Sequence, residues 1–386
     1  MATETVRKIL TRDFILVFFA QLTFIIVCHI LIPTLPIYLS RLGAKETEIG
    51  VLIGSFAVSS LVLRPFVGRA LVRIPEKRFM LIGALLFVLT SFAYLFALPF
   101  WPFLIVRIFQ GMGLAFFNTA AFTLIANISP EIHRGQSLSY FFLAQNISLA
   151  VAPTAGMLMI NQFSFTLLFL VCFGVSLLSL FVTSKLAGRP IPALEVVPGE
   201  ESFLFNWKAL PTSIMSFCFY FIWGGLTAFF PLYAIDKGVA NPGLFFTALS
   251  IFLIISRTLG GKILDLYSRE SVILYFFSLC ILSVVVLAFS GSLPMFVLSG
   301  VIWGIGAGLF NPAIMAYTLD RSGSARGPAM GTYTAFSDLG MSLGPVVMGI
   351  LIPLTGYPVM FLSLGLAGVG NLFYFYLFVR RGVGQG

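Results

Sequence analysis

Asp338 is the one acidic residue that lies well inside an apolar stretch of the sequence. The other carboxylates fall in tails, in polar breaks or at the ends of apolar stretches. A charge at the centre of a membrane helix costs about 2.5–3.5 kcal/mol on insertion scales, so such a residue usually faces a cavity or a partner. Because burial favours the neutral form of a carboxylic acid, Asp338 is suited to carry a proton or to couple one to a substrate. The alternative is an aspartate that hydrogen-bonds to neighbouring helices for packing alone.

Arg107 and His29 are two further ionisable side chains inside apolar stretches. Arg107 lies about six residues into its stretch, roughly 9 Å deep at 1.5 Å per helical residue. A guanidinium keeps its proton, so it needs carbonyls, a carboxylate or an anionic ligand, and Gln110 shares its helix face one turn away. A histidine side chain can titrate near neutral pH, so His29 is a second candidate for proton transfer. The alternatives are an arginine satisfied by backbone carbonyls and a histidine that only hydrogen-bonds within the packing.

No other pattern in the sequence supports catalysis or metal binding. There is no phosphate-binding G-x-x-x-x-G-K-[ST] and no zinc-binding H-E-x-x-H, so we expect neither an enzyme nor a cofactor. The cysteines lack metal-ligand spacing and all lie in apolar stretches, which predicts buried packing residues and no metal site. They are Cys28, Cys172, Cys218 and Cys280.

The composition shows that these side chains must be positioned by membrane helices. Of 386 residues, 59% are apolar and only 10% are charged, whereas a soluble domain carries about 25% charged residues. Soluble enzymes, nucleic-acid binders and disordered proteins are therefore excluded. Apolar stretches long enough to cross a bilayer recur along the chain, and each is expected to be a helix. We predict an all-α membrane protein with twelve spans at about 14–39, 48–72, 79–98, 101–124, 137–160, 165–185, 210–235, 243–265, 271–290, 294–318, 329–352 and 358–379.

The positive charges predict the orientation of these spans. Of the 23 lysines and arginines, 19 fall on one side of the predicted membrane, Arg107 lies within a span, and only Arg41, Lys45 and Lys237 fall on the other side. Because cationic loops are retained in the cytoplasm, both termini are expected to be cytoplasmic. The longest break is rich in proline and glutamate and is suited to a tether. We therefore expect an N-terminal six-helix bundle (1–185), a cytoplasmic linker (186–209) and a C-terminal six-helix bundle (210–386).

The two halves repeat one another at an offset of 192–195 residues. Asp338 corresponds to Asn146, which has a similar shape but carries no proton. Two half-chains repeated in the same orientation are typical of transporters with a central site reached alternately from either side. Asn118 and Asn311 are also equivalent, and either contribute to such a site or form interhelical hydrogen bonds. Arg64 matches Arg257, and both side chains are expected to extend towards the cytoplasmic interface. The remaining matches are Pro36 with Pro231, Gly111 with Gly304, Gly113 with Gly306, Arg134 with Arg326, and Pro153 with Pro345.

Several of the repeated segments resemble signatures of one transporter family. Span four contains Arg107-Ile-Phe-Gln110-Gly111-Met-Gly113, which resembles R-x-x-Q-G-x-G. Span five contains Ala152-Pro153-x-x-Gly156 and span eleven contains Gly340-x-x-x-Gly344-Pro345-x-x-x-Gly349, and both resemble the antiporter signature G-x-x-x-G-P-x-x-G. The loop signature G-x-x-x-D-R-x-G-R-R is matched in part at two places, by Gly68 and Arg73 after span two and by Gly261 and Asp265 after span eight. The first place departs from it at Val72 and Pro75. On these residues the chain resembles the major facilitator superfamily, and in particular its twelve-helix drug/proton antiporter branch.

The resemblance implies two pseudo-symmetric six-helix bundles, with spans four and ten lining a central cavity. It assigns the glycines and prolines of the signatures to gating and close helix packing. It makes Asp338, Arg107, His29, Gln110, Asn118, Asn311 and Asn146 the candidates for proton coupling or substrate contact.

The function predicted from the sequence is secondary active transport, with proton-coupled efflux of an amphipathic small molecule as the leading form. A lipid or anionic-metabolite carrier of the same fold is the alternative, since Arg107 and His29 could attract an anion. A non-transporting receptor or scaffold is a third reading, which the duplicated glycine and proline signatures disfavour. The expected partners are a small-molecule or lipid-like substrate, protons and membrane lipids, with no nucleic acid. We expect a monomer in a bacterial inner (plasma) membrane.

Overall fold

The computed structural model describes residues 10–97, 100–129, 134–187, 206–322 and 326–380. Within these residues the chain forms twelve long α-helices and no β-strand. The predicted all-α fold is therefore confirmed. The helices are α1 Arg12–Arg41, α2 Glu46–Ala70, α3 Glu76–Ala93, α4 Trp101–Ile128, α5 Arg134–Gln162, α6 Phe165–Ser184, α7 Leu210–Asp236, α8 Gly243–Leu266, α9 Arg269–Ala288, α10 Leu293–Arg321, α11 Arg326–Thr355 and α12 Tyr357–Tyr374.

Eleven of the helices in the described ranges are long and apolar enough to cross a membrane. The exception is α3, which has only 18 residues and begins with Glu76, Lys77 and Arg78. These three charges occupy its first turn, so the apolar part that follows them is shorter than in the other helices. A short π-helical segment, Phe375–Val379, continues α12 towards the C-terminus.

The predicted linker lies largely outside the described residues, which resume at Asn206. The side chain of Asn206 accepts hydrogen bonds from the backbone amides of Lys208 and Ala209 and so starts a single 3₁₀ turn, Trp207–Ala209, that leads into α7. This is N-capping by an asparagine, which satisfies amides that the helix itself leaves unpaired.

The chain divides into two compact units. The first contains 1–38 and 55–196, and the second contains 39–54 and 197–386. Helix α2 is therefore shared, with Glu46–Gly54 grouped with the second unit and Ser55–Ala70 with the first. In the first unit α3 packs against α4 and α6, and in the second the equivalent α9 packs against α10 and α12.

Several ring contacts recur at equivalent places in the two units, as the repeat in the sequence predicts. Tyr38 lies with its ring centroid 4.9–6.0 Å from Phe165, Phe169 and Phe103. In the second unit Tyr233 lies 5.3–5.7 Å from the equivalent rings, Tyr357, Phe361 and Phe296.

The turns and interhelical hydrogen bonds repeat as well. The turns after α1 and α7 both end on a glycine with positive φ, Gly43 (83°) and Gly238 (77°), a backbone conformation that side chains disfavour. The hydroxyl of Ser179 donates to the carbonyl of Ala20, and at the equivalent place the amide of Asn371 donates to the carbonyl of Met215.

Polar and charged side chains collect at one end of the helices in each unit, which we call the basic end. In the second unit Arg269 pairs with Asp320, and Glu270 accepts from Arg380 and from the Tyr317 hydroxyl. In the first unit Asn127 donates to Glu76, and Lys77 donates to the carbonyl of Leu186. The amide–carboxylate pair Asn127–Glu76 thus stands where its repeat, Asp320–Arg269, is an ion pair.

Candidate coupling and substrate site

Asp338 lies on α11 in the second unit, twelve residues after the helix begins at its basic end. That spacing corresponds to about 18 Å along the helix axis at 1.5 Å per residue. The side chain is half-buried. One turn further on, the hydroxyl of Ser342 donates to the backbone carbonyl of Asp338 at 2.6 Å. The prediction that this carboxyl lies well inside a span therefore agrees with its place on the helix.

One face of α11 packs directly on the backbone of α7. A methyl group at Gly340 would overlap the carbonyl oxygen of Phe217, and one at Gly344 would overlap the carbonyl oxygen of Phe221. Both clashes are with backbone atoms, so no side-chain rotation would relieve them. The glycines of the signature in span eleven thus allow α7 and α11 to approach closely within one unit, which is their packing role in membrane helices.

A second face of α11 packs against the part of α2 that belongs to the second unit. A methyl group at Gly50 would overlap the carbonyl oxygen of Pro345, and one at Gly349 would lie 2.6 Å from the carbonyl oxygen of Glu46. The hydroxyl of Thr47 donates to the carbonyl of Gly349 at 3.0 Å. We call this contact, between 46–54 and 342–349, the α2–α11 contact. Sequence analysis assigned Gly349 and Pro345 to gating and did not identify Gly50 as their partner.

Arg107 belongs to a buried polar cluster in the first unit. Its guanidinium donates to Oε1 of Gln110 at 2.7 Å, and the hydroxyl of Tyr94 donates to the same oxygen at 2.6 Å. The guanidinium carbon lies 4.4 Å from the ring centroid of Phe56, a cation–π distance. The expected proximity of Arg107 and Gln110 is present. Sequence analysis did not identify Tyr94 or Phe56, because ring packing depends on how each helix is rotated.

Gly111 and Gly113 flank this cluster on α4. A methyl group at Gly111 would overlap the carbonyl oxygen of Phe56, and one at Gly113 would lie 2.9 Å from the ring of Phe87. The two glycines therefore let α4 approach α2 and α3 closely, and the first of them brings the ring of Phe56 near Arg107.

His29 and Asn146 lie on α1 and α5 of the first unit. The Nδ1 atom of His29 is 2.8 Å from the hydroxyl of Ser148, two residues after Asn146. Asn146 itself is half-buried. Helices α1 and α5 also meet near Gly156, where a methyl group would lie 3.1 Å from the carbonyl oxygen of Ile30. Pro153, which lies between Ser148 and Gly156 on α5, is buried. The geometry of His29 is that of an interhelical packing hydrogen bond, one of the two roles predicted for it.

Asn118 and Asn311 make different contacts in spite of their equivalent positions. Asn118 accepts a 2.9 Å hydrogen bond from the amide of Gln21 on α1, and both side chains are buried. Asn311 donates to the carbonyl of Ala307 in its own helix at 3.2 Å, and its Oδ1 is buried without a hydrogen-bond partner among the described atoms. Among the described residues, Asn118 thus bonds to another helix and Asn311 bonds within its own. Gln21 is a partner that sequence analysis missed.

The loop-signature residues lie at the basic ends of the units. Gly68 is exposed on α2 with no atom within 4 Å of a methyl group placed there, and Arg73 is exposed in the turn that follows. Gly261 and Asp265 belong to α8, but their side chains lie outside the described residues. Within the described part of the chain no group of three or more histidine, cysteine or acidic side chains could hold a metal ion, and the four cysteines are free.

Comparison with known proteins identifies the family. The sequence model of the Major Facilitator Superfamily matches residues 15–293 and 212–385, which together cover nearly the whole chain. The chain belongs to the Major Facilitator Superfamily.

Two curated relatives of this major facilitator protein are exporters or resistance proteins from Staphylococcus aureus. The staphylopine export protein of strain Mu50 is 25% identical over 349 residues, covering 84% of this chain and 85% of the relative. The quinolone resistance protein NorA is 24% identical over 364 residues, covering 88% and 90%. The resemblance predicted from the signatures is therefore confirmed, and this chain is a membrane transporter.

Solved transporter structures share the fold. The nucleoside transporter NupG has a TM-score of 0.78 at 16% identity, covering 95% of this chain and 98% of its own. A POT family transporter in complex with a thioalcohol-conjugated peptide also has a TM-score of 0.78, at 14% identity, with 96% of both chains covered. At these identities the likeness supports the major facilitator fold alone.

Proposed function

We propose that this major facilitator protein is a proton-coupled exporter of an amphipathic small molecule. Its relatives include a protein named for staphylopine export and one named for quinolone resistance, and both match most of the chain. Export is stated by the first name, and drug resistance, stated by the second, is an effect that export of the drug would produce. Proton coupling is proposed from this chain's own residues.

Asp338 is the observation that carries the coupling proposal. It lies about 18 Å along α11 on a half-buried turn, where a neutral acid is tolerated better than a carboxylate. It is followed on the same side of the helix by Ser342, whose carbonyl oxygen lies 2.6 Å from a methyl group placed at Gly54 on α2. A proton gained or lost at Asp338 therefore acts one turn away from the α2–α11 contact.

The α2–α11 contact is the element that we propose to open and close. Glycines on both helices bring the two backbones into direct contact, and the hydroxyl of Thr47 donates a hydrogen bond to the carbonyl of Gly349. A backbone contact of this kind has few intermediate arrangements, because a small separation removes most of its packing and its hydrogen bond. It suits a two-state element whose populations a proton or a substrate can shift.

We propose an orientation with both termini in the cytoplasm of a bacterial inner membrane. The basic ends described above hold most of the lysines and arginines, and Arg41, Lys45 and Lys237 are the cations at the opposite end. Cationic loops are retained on the cytoplasmic side. In this orientation the α2–α11 contact lies towards the outer side, so the conformation is one whose outer contact is closed.

The experiment is flux into proteoliposomes under an imposed pH gradient. Purified protein is reconstituted and offered two fluorescent amphiphiles, the cation ethidium and the anion 1-anilinonaphthalene-8-sulfonate, with protein-free liposomes as the control. Proton antiport predicts that a probe accumulates in acidic-inside vesicles above its external concentration, and that an ionophore collapsing the gradient abolishes the excess. Equilibration of a probe to equal concentrations at every gradient would contradict coupling.

A further inference from the structure

A groove between α1 and α5 is a feature of the first unit that the coupling proposal does not use. It has a volume of about 240 Å³, and its lining includes Ile15, Phe18 and Phe19 of α1 and Tyr140 and Leu143 of α5. Apart from the tyrosine, the lining side chains are hydrocarbon. Ile15, Phe19 and Leu143 are exposed, so the groove opens at the surface of the unit.

The groove lies within one half of the bilayer. Ile15 and Phe19 follow the start of α1 at Arg12 and lie about 5 and 10 Å from the basic end. Leu143 follows the start of α5 at Arg134 and lies about 13 Å from the same end. Half of the hydrocarbon core is about 15 Å thick. The groove therefore has the depth at which the first part of a lipid acyl chain lies.

Arg12 begins α1 at the interfacial end of the groove. It is exposed, and within the described ranges its side chain forms no hydrogen bond or ion pair. At 100° per residue it lies about 20° around the helix from Phe19 and about 60° from Ile15, so it shares the groove face. Helical side chains tilt towards the N-terminus, which directs the guanidinium of Arg12 to the interface. The neighbouring carboxylate, Asp13, lies about 100° around the helix and has an interaction of its own.

Tyr140 supplies a polar group part-way along the groove. It follows the start of α5 by six residues, about 9 Å from the basic end. Its hydroxyl accepts a 3.0 Å hydrogen bond from the amide of Gln136, and among the described residues it donates to no acceptor. The phenol proton is therefore available to an oxygen of a bound molecule. Tyrosine, with an apolar ring and a polar tip, is enriched at the interfacial level of membranes.

From the interface inwards the groove presents a cation, a hydroxyl donor and then hydrocarbon. A phospholipid presents the complementary groups in the same order, which are a phosphate, ester carbonyls and an acyl chain. A guanidinium matches the geometry of a phosphate, and basic pockets between transmembrane helices bind lipid head groups. A small soluble anion would leave the hydrocarbon wall uncovered, and a lipid without net charge would leave the charge of Arg12 uncompensated.

We propose that the groove between α1 and α5 binds one anionic phospholipid. The phosphate lies at Arg12, an ester carbonyl accepts from the hydroxyl of Tyr140, and an acyl chain lies along Phe19 and Leu143. The lipid then joins two helices that also meet through the hydrogen bond between His29 and Ser148. This inference goes beyond the proposed function, since it involves neither the transported molecule nor a proton, and failure of one leaves the other standing.

Photo-crosslinking at the groove identifies the occupant. The photoreactive residue p-benzoylphenylalanine is placed at Leu143, and the protein is reconstituted in vesicles with a minority of phosphatidylglycerol in phosphatidylcholine of the same acyl chains. After illumination the adducts are identified by mass. We expect phosphatidylglycerol to be enriched about fivefold over its share of the vesicle lipid, the factor that corresponds to one arginine near a membrane surface. Arg12→Gln should remove the enrichment.

Two controls separate a site from a general attraction of anionic lipid to the basic end. Leu177 on α6 is as exposed as Leu143, at 41% against 38%, and lies about 10 Å from the basic end of its helix. The photoreactive residue at Leu177 should cross-link the two lipids in proportion to the vesicle composition. Arg73→Gln, which removes another exposed cation, should leave the enrichment at Leu143 unchanged.

Three results would overturn the proposal. They are proportional cross-linking at Leu143, an enrichment that persists in Arg12→Gln, and replacement of the lipid adduct by another occupant. The last is examined by adding ethidium to the vesicles, which tests for a transported amphiphile, and by illuminating native membranes, which tests for a protein partner.

Thermal stability in an uncharged detergent checks the result without the photoreactive residue. Phosphatidylglycerol should raise the Tm of the delipidated wild type more than phosphatidylcholine does. Arg12→Gln should abolish this difference and Arg73→Gln should keep it. Glycerol 1-phosphate, which has the phosphate but no acyl chain, should not reproduce the rise. An equal Tm with the two lipids, or the same rise with glycerol 1-phosphate, would contradict a phospholipid site.

Discussion

Replacing Gly50 by alanine tests whether the α2–α11 contact is a two-state element. The added methyl group would overlap the carbonyl oxygen of Pro345 and lie 3.1 Å from its carbonyl carbon and 3.3 Å from the α-carbon of Gly349. All three are backbone atoms, so a change of rotamer cannot relieve the clash. The two helices must separate locally for the variant to fold.

The size of the effect follows from the overlap. Overpacking by a methyl group in a close contact costs about 1–3 kcal/mol, and the helix propensity of alanine cancels because α2 is helical whether the contact is closed or open. A cost of about 1–2 kcal/mol, within that range, falls on the closed contact only. It should shift the equilibrium towards the open contact by about 5–30-fold.

The assay measures how often the contact opens. Thr47 lies in the closed contact, where its hydroxyl donates to the carbonyl of Gly349. Thr47→Cys is introduced into a cysteine-free background, and the rate at which this cysteine reacts with an impermeant maleimide is measured with and without Gly50→Ala. We expect a 5–30-fold faster reaction with Gly50→Ala. Gly68→Ala is the matched control, because it changes the same helix at a position with no atom within 4 Å. A rate in Gly50→Ala no higher than in Gly68→Ala would refute a two-state contact.

Two other predictions concern the buried cluster and the orientation. Gln110→Leu leaves Arg107 and Tyr94 without their shared acceptor, so we expect it to lower stability by about 2–3 kcal/mol, seen as a lower Tm in detergent. Gln110→Glu should lose much less, and an unchanged Tm in Gln110→Leu would show that the cluster contributes nothing. Single cysteines at Lys208 and Ala44 should label oppositely in intact cells, with Ala44→Cys accessible to an impermeant reagent and Lys208→Cys protected. Labelling of both from outside would overturn the proposed orientation.

The sequence predicted the helices and the repeat because both depend on local composition and spacing. Apolar stretches of about 20 residues require helices in lipid, and the offset of 195 residues between Pro36 and Pro231 extends to Tyr38 and Tyr233, which have equivalent ring contacts. The proximity of Arg107 and Gln110 was predictable as well, since positions three apart share a helix face.

The contacts that the sequence did not predict depend on helix rotation and on distant pairings. In a membrane protein apolar residues face both lipid and interior, so periodicity does not mark the buried face. The bond from Gln21 to Asn118 spans 97 residues and the bond from Thr47 to Gly349 spans 302. The glycine signature in span eleven indicated close packing, but its two partners, α7 and the first part of α2, became visible only in the structure.

Proton-driven uphill flux by Asp338→Asn is the most direct test of coupling at Asp338. The substitution keeps the size of the side chain and removes its titration, which reproduces the residue found at Asn146. We predict that Asp338→Asn in proteoliposomes loses accumulation against a concentration gradient under an imposed pH gradient, while downhill exchange and ligand binding persist, and that Asp338→Glu retains part of the coupling. Accumulation by Asp338→Asn equal to the wild type would contradict coupling at Asp338 and make it a packing residue.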